Sequence, residues 1–209
     1  MDSRVFTYIA DAEKLVISEA ETARYLGYSR EGIAAAGNET LILAAIEKTR
    51  RLTAGKGCYG RYEVSYPEEG TVLLPWGEVR SRDLYRNLFP CPEIYVFAAT
   101  IGAAFDRELK RLSYVSMAEA ALLQAAGASA VEAVCDALNE KLERMAEAEG
   151  KRLRRRFSPG YGDLSLENQK GVFSLLTPAR FIGLSLMDSL VMSPEKSVTA
   201  IIGIEDGTV

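Results

Sequence analysis

The segment Arg156-Phe157-Ser158-Pro159-Gly160-Tyr161 combines residue types that can bind a small molecule. Pro159 fixes its own φ and favours an extended residue before it, while Gly160 can adopt backbone angles that are closed to other residues. A ligand can therefore approach the main chain here. Arg156 offers a planar guanidinium for a carboxylate, and Tyr161 offers an aromatic face and a phenol. This chemistry suits a zwitterion that carries a flat ring, although the same residues also form an ordinary turn.

The absence of histidine limits the chemistry of the chain more than any other feature of its composition. None of the 209 residues is histidine. This removes the commonest general base near neutral pH and the commonest metal ligand, so we predict no catalytic triad and no metal site. The three cysteines have no C-x-x-C spacing, which favours reduced thiols over a disulfide framework or a zinc site. They are Cys58, Cys91 and Cys135.

The charge of the chain argues against nucleic acid as a partner, because the formal net charge is -4 and the pI is about 5.2. One basic run, residues 151–156, has two interpretations: a solvated helix end or a docking patch for an acidic partner. The first residues lack a cationic start followed by an apolar run, and no stretch approaches ~20 apolar residues. We therefore expect a cytoplasmic protein that does not interact with a membrane.

Apolar periodicity and turn residues predict a mixture of strands and helices. From 58 to 74 the pattern alternates, and Pro67-Glu68-Glu69-Gly70 predicts a hairpin between the two runs. Strands are also predicted at 4–9, 94–99 and 197–204. Helices are predicted at 18–27, from Asn38 as cap to 52, at 81–89, in an amphipathic segment that ends at 112, and at 116–149, 166–176 and 178–186.

The strands and helices do not alternate regularly, as parallel βαβ units would require. We therefore predict an α+β fold, with a mainly antiparallel sheet and flanking helices. The helix at 116–149 has a middle rich in alanine, glycine and serine, which predicts close packing against the sheet. A length of 209 residues suits a single domain that spans 1–209.

Three motifs resemble the activation domain of cobalamin-dependent methionine synthase in their order and spacing. They are the hexad at 156–161, Ile182-Gly183-Leu184-Ser185-Leu186 and Met192-Ser193-Pro194-Glu195-Lys196-Ser197-Val198. Upstream segments resemble free-standing members of that family, so the resemblance covers nearly the whole chain. These segments are Arg24-Tyr25-Leu26-Gly27-Tyr28, Ala98-Ala99-Thr100-Ile101-Gly102 and Ala128-Ser129-Ala130-Val131-Glu132-Ala133.

The resemblance implies a binding site for S-adenosylmethionine. By position, the family's ligand contacts fall on Arg156, Ser158, Gly160, Tyr161 and Glu132. Arg156 would bind the methionyl carboxylate, Glu132 the ammonium, and the backbone around Ser158 and Gly160 the adenine edge. Two contacts of the fused family members have no match: an acidic residue near the N-terminus and an aromatic residue near a longer C-terminus.

The resemblance also implies an accessory role rather than an independent enzyme. In the family, the activation domain presents S-adenosylmethionine to inactive Co(II) cobalamin while an electron arrives from a flavodoxin- or ferredoxin-type donor. The expected partner is a corrinoid-bearing methionine synthase without its own activation domain, and that partner supplies the cobalamin. Tyr161 would lie against the corrin.

Three alternatives remain open at the level of sequence. The chain could be a docking or scaffold module for a corrinoid protein that has lost S-adenosylmethionine binding. An ordinary S-adenosylmethionine methyltransferase is disfavoured, since no Gly-x-Gly-type loop follows the first strand. A nucleic-acid binder that uses the basic run is disfavoured by the acidic charge balance.

Overall fold

A computed structural model describes residues 4–27 and 39–207. Within them, five strands form one antiparallel sheet in the order β1-β2-β5-β9-β6. The strands are β1 Phe6–Ile9, β2 Lys56–Glu63, β3 Thr71–Leu74, β4 Gly77–Arg80, β5 Glu93–Thr100, β6 Lys151–Leu153, β7 Ser185–Leu186, β8 Met192–Ser193 and β9 Ser197–Asp206. The helices are α1 Glu19–Tyr25, α2 Glu39–Leu52, α3 Arg82–Leu88, α4 Ala103–Val115, α5 Met117–Glu147, α6 Asn168–Leu176 and α7 Pro178–Ile182. The predicted α+β fold with an antiparallel sheet is confirmed.

The central strands β5 and β9 are buried on both faces and separate two hydrophobic cores. Tyr95, Phe97 and Ala99 pack with α1, α2, α4 and α5 on one face. The alternate side chains of β5 pack with α3, α6, α7 and the β3–β4 hairpin on the other. Because successive side chains of a strand point to opposite faces, one continuous apolar run supplies both cores.

The predicted hairpin between the runs of 58–74 is confirmed at one residue pair, and the main pairing of each run lies elsewhere. β2 pairs with β1 and β5, whereas β3 pairs with β4. Across the predicted turn there is only an isolated bridge between Ser65 and Leu73. The alternation itself was interpreted correctly, since Tyr62 and Val64 are buried on one face. The main pairing partner of β2 was not predicted, because turn residues indicate only the local connection and β5 lies about 35 residues further along the chain.

The interpretation of residues 151–156 as a solvated helix end is also wrong. Helix α5 ends before them, Gly150 has a φ of 73°, and Lys151–Leu153 form the edge strand β6 beside β9. Lys151 binds Glu93, with 2.6 Å between Nζ and Oε2, and Arg154 binds Glu205 at 2.8 Å. An edge strand that carries charged side chains resists further strand pairing.

The long helix α5 packs its small residues as predicted. Ala125, Ala126 and Gly127 are buried, and a Cβ on Gly127 would overlap the ring of Phe105 on α4. By length and composition α5 could cross a membrane, but 56% of its most apolar window is buried within the protein. Such burial is typical of a core helix.

Several predicted helix boundaries are confirmed and others are not. Ser18 and Ser81 accept hydrogen bonds from the first turns of α1 and α3, as helix caps do. Asn38, the predicted cap of α2, and Tyr28 lie outside the described residues. The predicted helix at 178–186 ends at Ile182, because Gly183 turns the chain with a φ of 69°.

Candidate functional site

A cleft of about 600 Å³ lies beside the loop at 156–162. Its lining brings together four of the five predicted site residues: Glu132, Arg156, Ser158 and Tyr161. Helix α5 supplies Glu132 from one side of the sheet, whereas α6 supplies Gln169 from the other. The volume falls within the roughly 300–1,000 Å³ of small-molecule sites.

Within the described residues, Arg156 is the only cation lining this cleft that forms ion pairs with carboxylates. Its Nη2 lies 3.2 Å from Glu132 Oε2 and 2.9 Å from Asp136 Oδ1. Asp136 follows Glu132 by four positions on α5, so the two acids flank the guanidinium on one helix face. Arg156 Nη1 is buried and has no hydrogen-bond partner in the described part of the chain. The guanidinium therefore retains one donor group for a ligand.

The thiol next to these acids is not a nucleophile. Cys135 lies between Glu132 and Asp136 in sequence and is fully buried. Burial raises the pKa of the Cys135 thiol, and the opposing effect of Arg156 is smaller. Because the thiolate is the reactive form, this cysteine is inert at neutral pH. Among residues 4–27 and 39–207, no three acidic, cysteine or histidine side chains form a metal-binding group.

The loop after Arg156 is closed by its own hydrogen bonds. Gly160 has a φ of 91°, and its N–H donates to the carbonyl of Leu164 at 2.8 Å. Tyr161 N–H donates to Ser158 C=O at 3.1 Å. These two amides are therefore not free for a ligand, and Gly160 shapes the turn rather than lining the cleft. Tyr161 stands at the mouth with 68% of its surface exposed.

Asp163 fastens the loop to helix α3. Its carboxylate accepts hydrogen bonds from the Ser81 hydroxyl, from Arg82 N–H at 2.8 Å and from Asp83 N–H at 3.2 Å. These donors, the Ser81 hydroxyl above all, lower the pKa of Asp163. The carboxylate also lies at the positive end of the helix dipole. The loop geometry is thus tied to an element about 80 residues earlier in the chain.

An open strand edge forms another wall of the cleft. Ile201 and Phe157 exchange backbone hydrogen bonds of 2.8 and 2.9 Å on the side of β9 that faces away from β5. Residues two apart in a strand point their backbone groups to the same side. Thr199 therefore points its N–H and C=O into the cleft, beyond the last backbone pair. Such an edge can bind a planar ring that carries a donor and an acceptor.

Two amide side chains in the cleft were not predicted from the sequence. Asn87 on α3 donates from its Nδ2 to the carbonyl of Arg155 at 3.2 Å. Its Oδ1 is buried and has no hydrogen-bond partner within the described residues. Gln169 on α6 is 5% exposed, and its Oε1 is likewise unpaired. No sequence motif marks either residue as part of a site, since both lie in ordinary polar turns of helices. Asp136 could have been predicted, because it lies four positions after Glu132 on the same helix face.

The comparisons with known proteins place the fold but not the family. No protein-family model and no curated protein matches the sequence. Among solved structures, the crystal structure of the MetH reactivation domain bound to AdoHcy has a similar fold, with a TM-score of 0.71 and 15% sequence identity. The match covers 99% of this chain and 80% of that one. The chain therefore has the fold of the MetH reactivation domain over nearly its whole length.

Proposed function

We propose that this chain binds S-adenosylmethionine and supports reductive methylation of inactive Co(II) cobalamin on a methionine synthase or related corrinoid protein in trans. The observation that carries the proposal is the position of the cleft. In a fold like that of a domain with bound AdoHcy, the cleft lies at the loop whose sequence resembles the family's ligand loop. AdoHcy is the product that remains when S-adenosylmethionine loses its methyl group.

The charges of the cleft match those of the ligand. Arg156 Nη1, which is unpaired within the described residues, suits the methionyl carboxylate, and Glu132 suits the ammonium. The backbone of Thr199 and the ring of Phe157 offer hydrogen bonds and an apolar surface for adenine. Since Gly160 N–H and Tyr161 N–H are used within the loop, the open strand edge would act beside the backbone at Ser158, where we expect the adenine edge to bind.

The proposed reaction requires positioning rather than acid–base catalysis. S-adenosylmethionine supplies the methyl group, a low-potential flavodoxin- or ferredoxin-type donor supplies one electron, and the partner's cobalt accepts both while AdoHcy leaves. The chain's own residues would bind the ligand and turn it towards the partner. The exposed Tyr161 at the mouth would face the corrin.

One observation favours a second candidate, a docking module that does not bind S-adenosylmethionine. Arg156 is already held by Glu132 and Asp136, so a ligand carboxylate must compete with the chain's own acids. Both acids are substantially exposed, and exposed ion pairs contribute only about 0–1 kcal/mol. A ligand that offers its carboxylate to Arg156 and its ammonium to Glu132 can therefore replace these ion pairs.

Calorimetric titration of the purified chain with S-adenosylmethionine tests the proposal. We expect saturable binding, and we expect Arg156→Ala to weaken it by about 1.5–3 kcal/mol, because a charge-assisted hydrogen bond is lost. Arg152→Ala is the matched control, since Arg152 is exposed on β6 and does not line the cleft. It should bind like the unchanged chain.

No saturable binding by the intact chain would contradict the proposal and leave the docking module. If the chain binds, a second assay follows methylation of a Co(II)-inactivated corrinoid protein with a chemical reductant. Methyl transfer should depend on this chain and should fall in Arg156→Ala but not in Arg152→Ala.

A further inference from the structure

The side-chain oxygen of Gln169 is buried without a hydrogen-bond partner among the described residues. Its side chain is 5% exposed, and its Oε1 takes no hydrogen bond from any residue in 4–27 or 39–207. A buried acceptor left unpaired destabilises the fold, so native proteins usually pair it or use it. The neighbouring Asn168 is paired, because its Oδ1 accepts from Trp76 Nε1 at 3.2 Å. The Gln169 amide instead lines the cleft.

The position of Gln169 separates it from the charged end of the cleft. Helix α6 packs on the opposite face of the sheet from α5, which carries Glu132 and Asp136. A ligand that pairs its ammonium and carboxylate with Glu132 and Arg156 would therefore extend its uncharged end towards α6. The open edge of β9 lies between the two helices.

The chemistry of the amide indicates which ligand group it contacts. A neutral carbonyl oxygen in a buried setting satisfies a neutral N–H well, but it does not offset the charge of a desolvated ammonium. The carboxylates of α5 are the groups suited to the cation. Gln169 Oε1 is thus matched to an uncharged amine on an aromatic ring.

We propose that Gln169 is a specificity-determining residue that accepts a hydrogen bond from the exocyclic amine of the ligand's adenine ring. This inference rests on the proposed S-adenosylmethionine site and adds a side-chain contact to it. The backbone of Thr199 on the strand edge and the side chain of Gln169 on α6 would then form hydrogen bonds with adjacent groups on the same edge of the adenine ring. The cleft would select adenine nucleosides over those without an amine at this position.

Two ligands and two variants test the proposal by calorimetry. The ligands are AdoHcy and its analogue in which the exocyclic amine is replaced by hydrogen. An inosine analogue would be less suitable, because the Gln169 amide could rotate and donate to its carbonyl. The variants are Gln169→Leu and, as the control, Gln124→Leu at the exposed glutamine of α5.

The intact chain and Gln124→Leu should bind AdoHcy about 10-fold more tightly than the analogue, because the analogue leaves the buried acceptor unpaired. Gln169→Leu should bind both ligands within about 2-fold of each other, with AdoHcy weakened by about 10-fold. Equal binding of both ligands by the intact chain would overturn the inference while leaving the proposed function in place. Absence of AdoHcy binding by the intact chain would overturn both.

Thermal unfolding without ligand gives an independent readout. Gln169→Leu removes an unpaired buried acceptor, so we expect its Tm to rise by about 2–4 °C even though it binds AdoHcy less tightly. A residue with a purely structural role would show the opposite, a lower Tm together with equal weakening for both ligands. That result would also overturn the inference.

Discussion

At the scale of single residues, a ligand carboxylate would compete with Glu132 and Asp136 for the guanidinium of Arg156. Glu132 lines the cleft, whereas Asp136 binds Arg156 from outside it. Both acids lie on one face of α5, yet only one is positioned to contact a ligand directly. Their substitutions should therefore change ligand affinity in opposite directions.

Asp136→Asn should tighten S-adenosylmethionine binding by up to about 5-fold, because removal of an exposed ion pair worth at most about 1 kcal/mol frees Arg156 for the ligand carboxylate. Glu132→Gln should weaken binding by about 10-fold, because the ammonium loses its charged acceptor. Calorimetry at low ionic strength measures both. Weakening by both variants would show that the three side chains act as one structural unit instead.

At the scale of elements, close approach of helices holds α5 in place behind the site. Gly127 packs against the ring of Phe105, so this ring of α4 lies close to the backbone of α5. The helix that carries Glu132 and Asp136 is thereby held against α4. Close packing of this kind is sensitive to one added methyl group.

Gly127→Ala should lower the free energy of unfolding by about 1–3 kcal/mol, because the added Cβ overlaps the Phe105 ring. Alanine has the higher helix propensity, so a loss of stability can only come from packing. Ala121→Gly at an exposed position of the same helix measures propensity alone and should cost about 1 kcal/mol. Urea denaturation compares the variants, and a stabilised Gly127→Ala would contradict the packing argument.

At the scale of the whole molecule, an ion-pair network joins elements that are distant in sequence. Glu93 on β5 binds Arg61 on β2 and Lys151 on β6, each at 2.6 Å. Arg61 also binds Glu149, at the end of the chain segment that leaves α5, at 2.8 Å. Hydrogen bonds from Arg61, and then from Lys151, lower the pKa of Glu93.

Glu93→Gln should lower the free energy of unfolding at pH 7 by about 1 kcal/mol, because a partly exposed charge network is lost. A carboxyl with a lowered folded pKa stabilises the protein above its unfolded pKa of about 4.3, and this contribution is lost as the pH falls through the folded pKa. The difference from the unchanged chain should therefore disappear in acid. Glu78→Gln, at an exposed position of β4, is the control for urea titrations at several pH values.

Local signals in the sequence predicted much of the fold. The helix starts at Ser18 and Ser81 were predicted from the sequence, because a helix start depends on a capping side chain and the next few amides. The pairing of β2 with β5 was not predictable in this way, since it joins segments about 35 residues apart. The basic run was misinterpreted for the same reason: its role as strand β6 depends on β9, about 50 residues later in the chain.

The sequence by itself determined the loop at 156–162, its arginine, proline, glycines and tyrosine, and the absence of imidazole chemistry, because these depend on residue type and local backbone angles. Only the tertiary structure decided what surrounds that loop. It placed Glu132 and Asp136 on Arg156, used the Gly160 and Tyr161 amides within the turn, and opened the edge of β9 at Thr199. It also buried Gln169 without a partner in the described chain. These features depend on which distant segments meet, and that is set by packing on both faces of one sheet rather than by any local pattern.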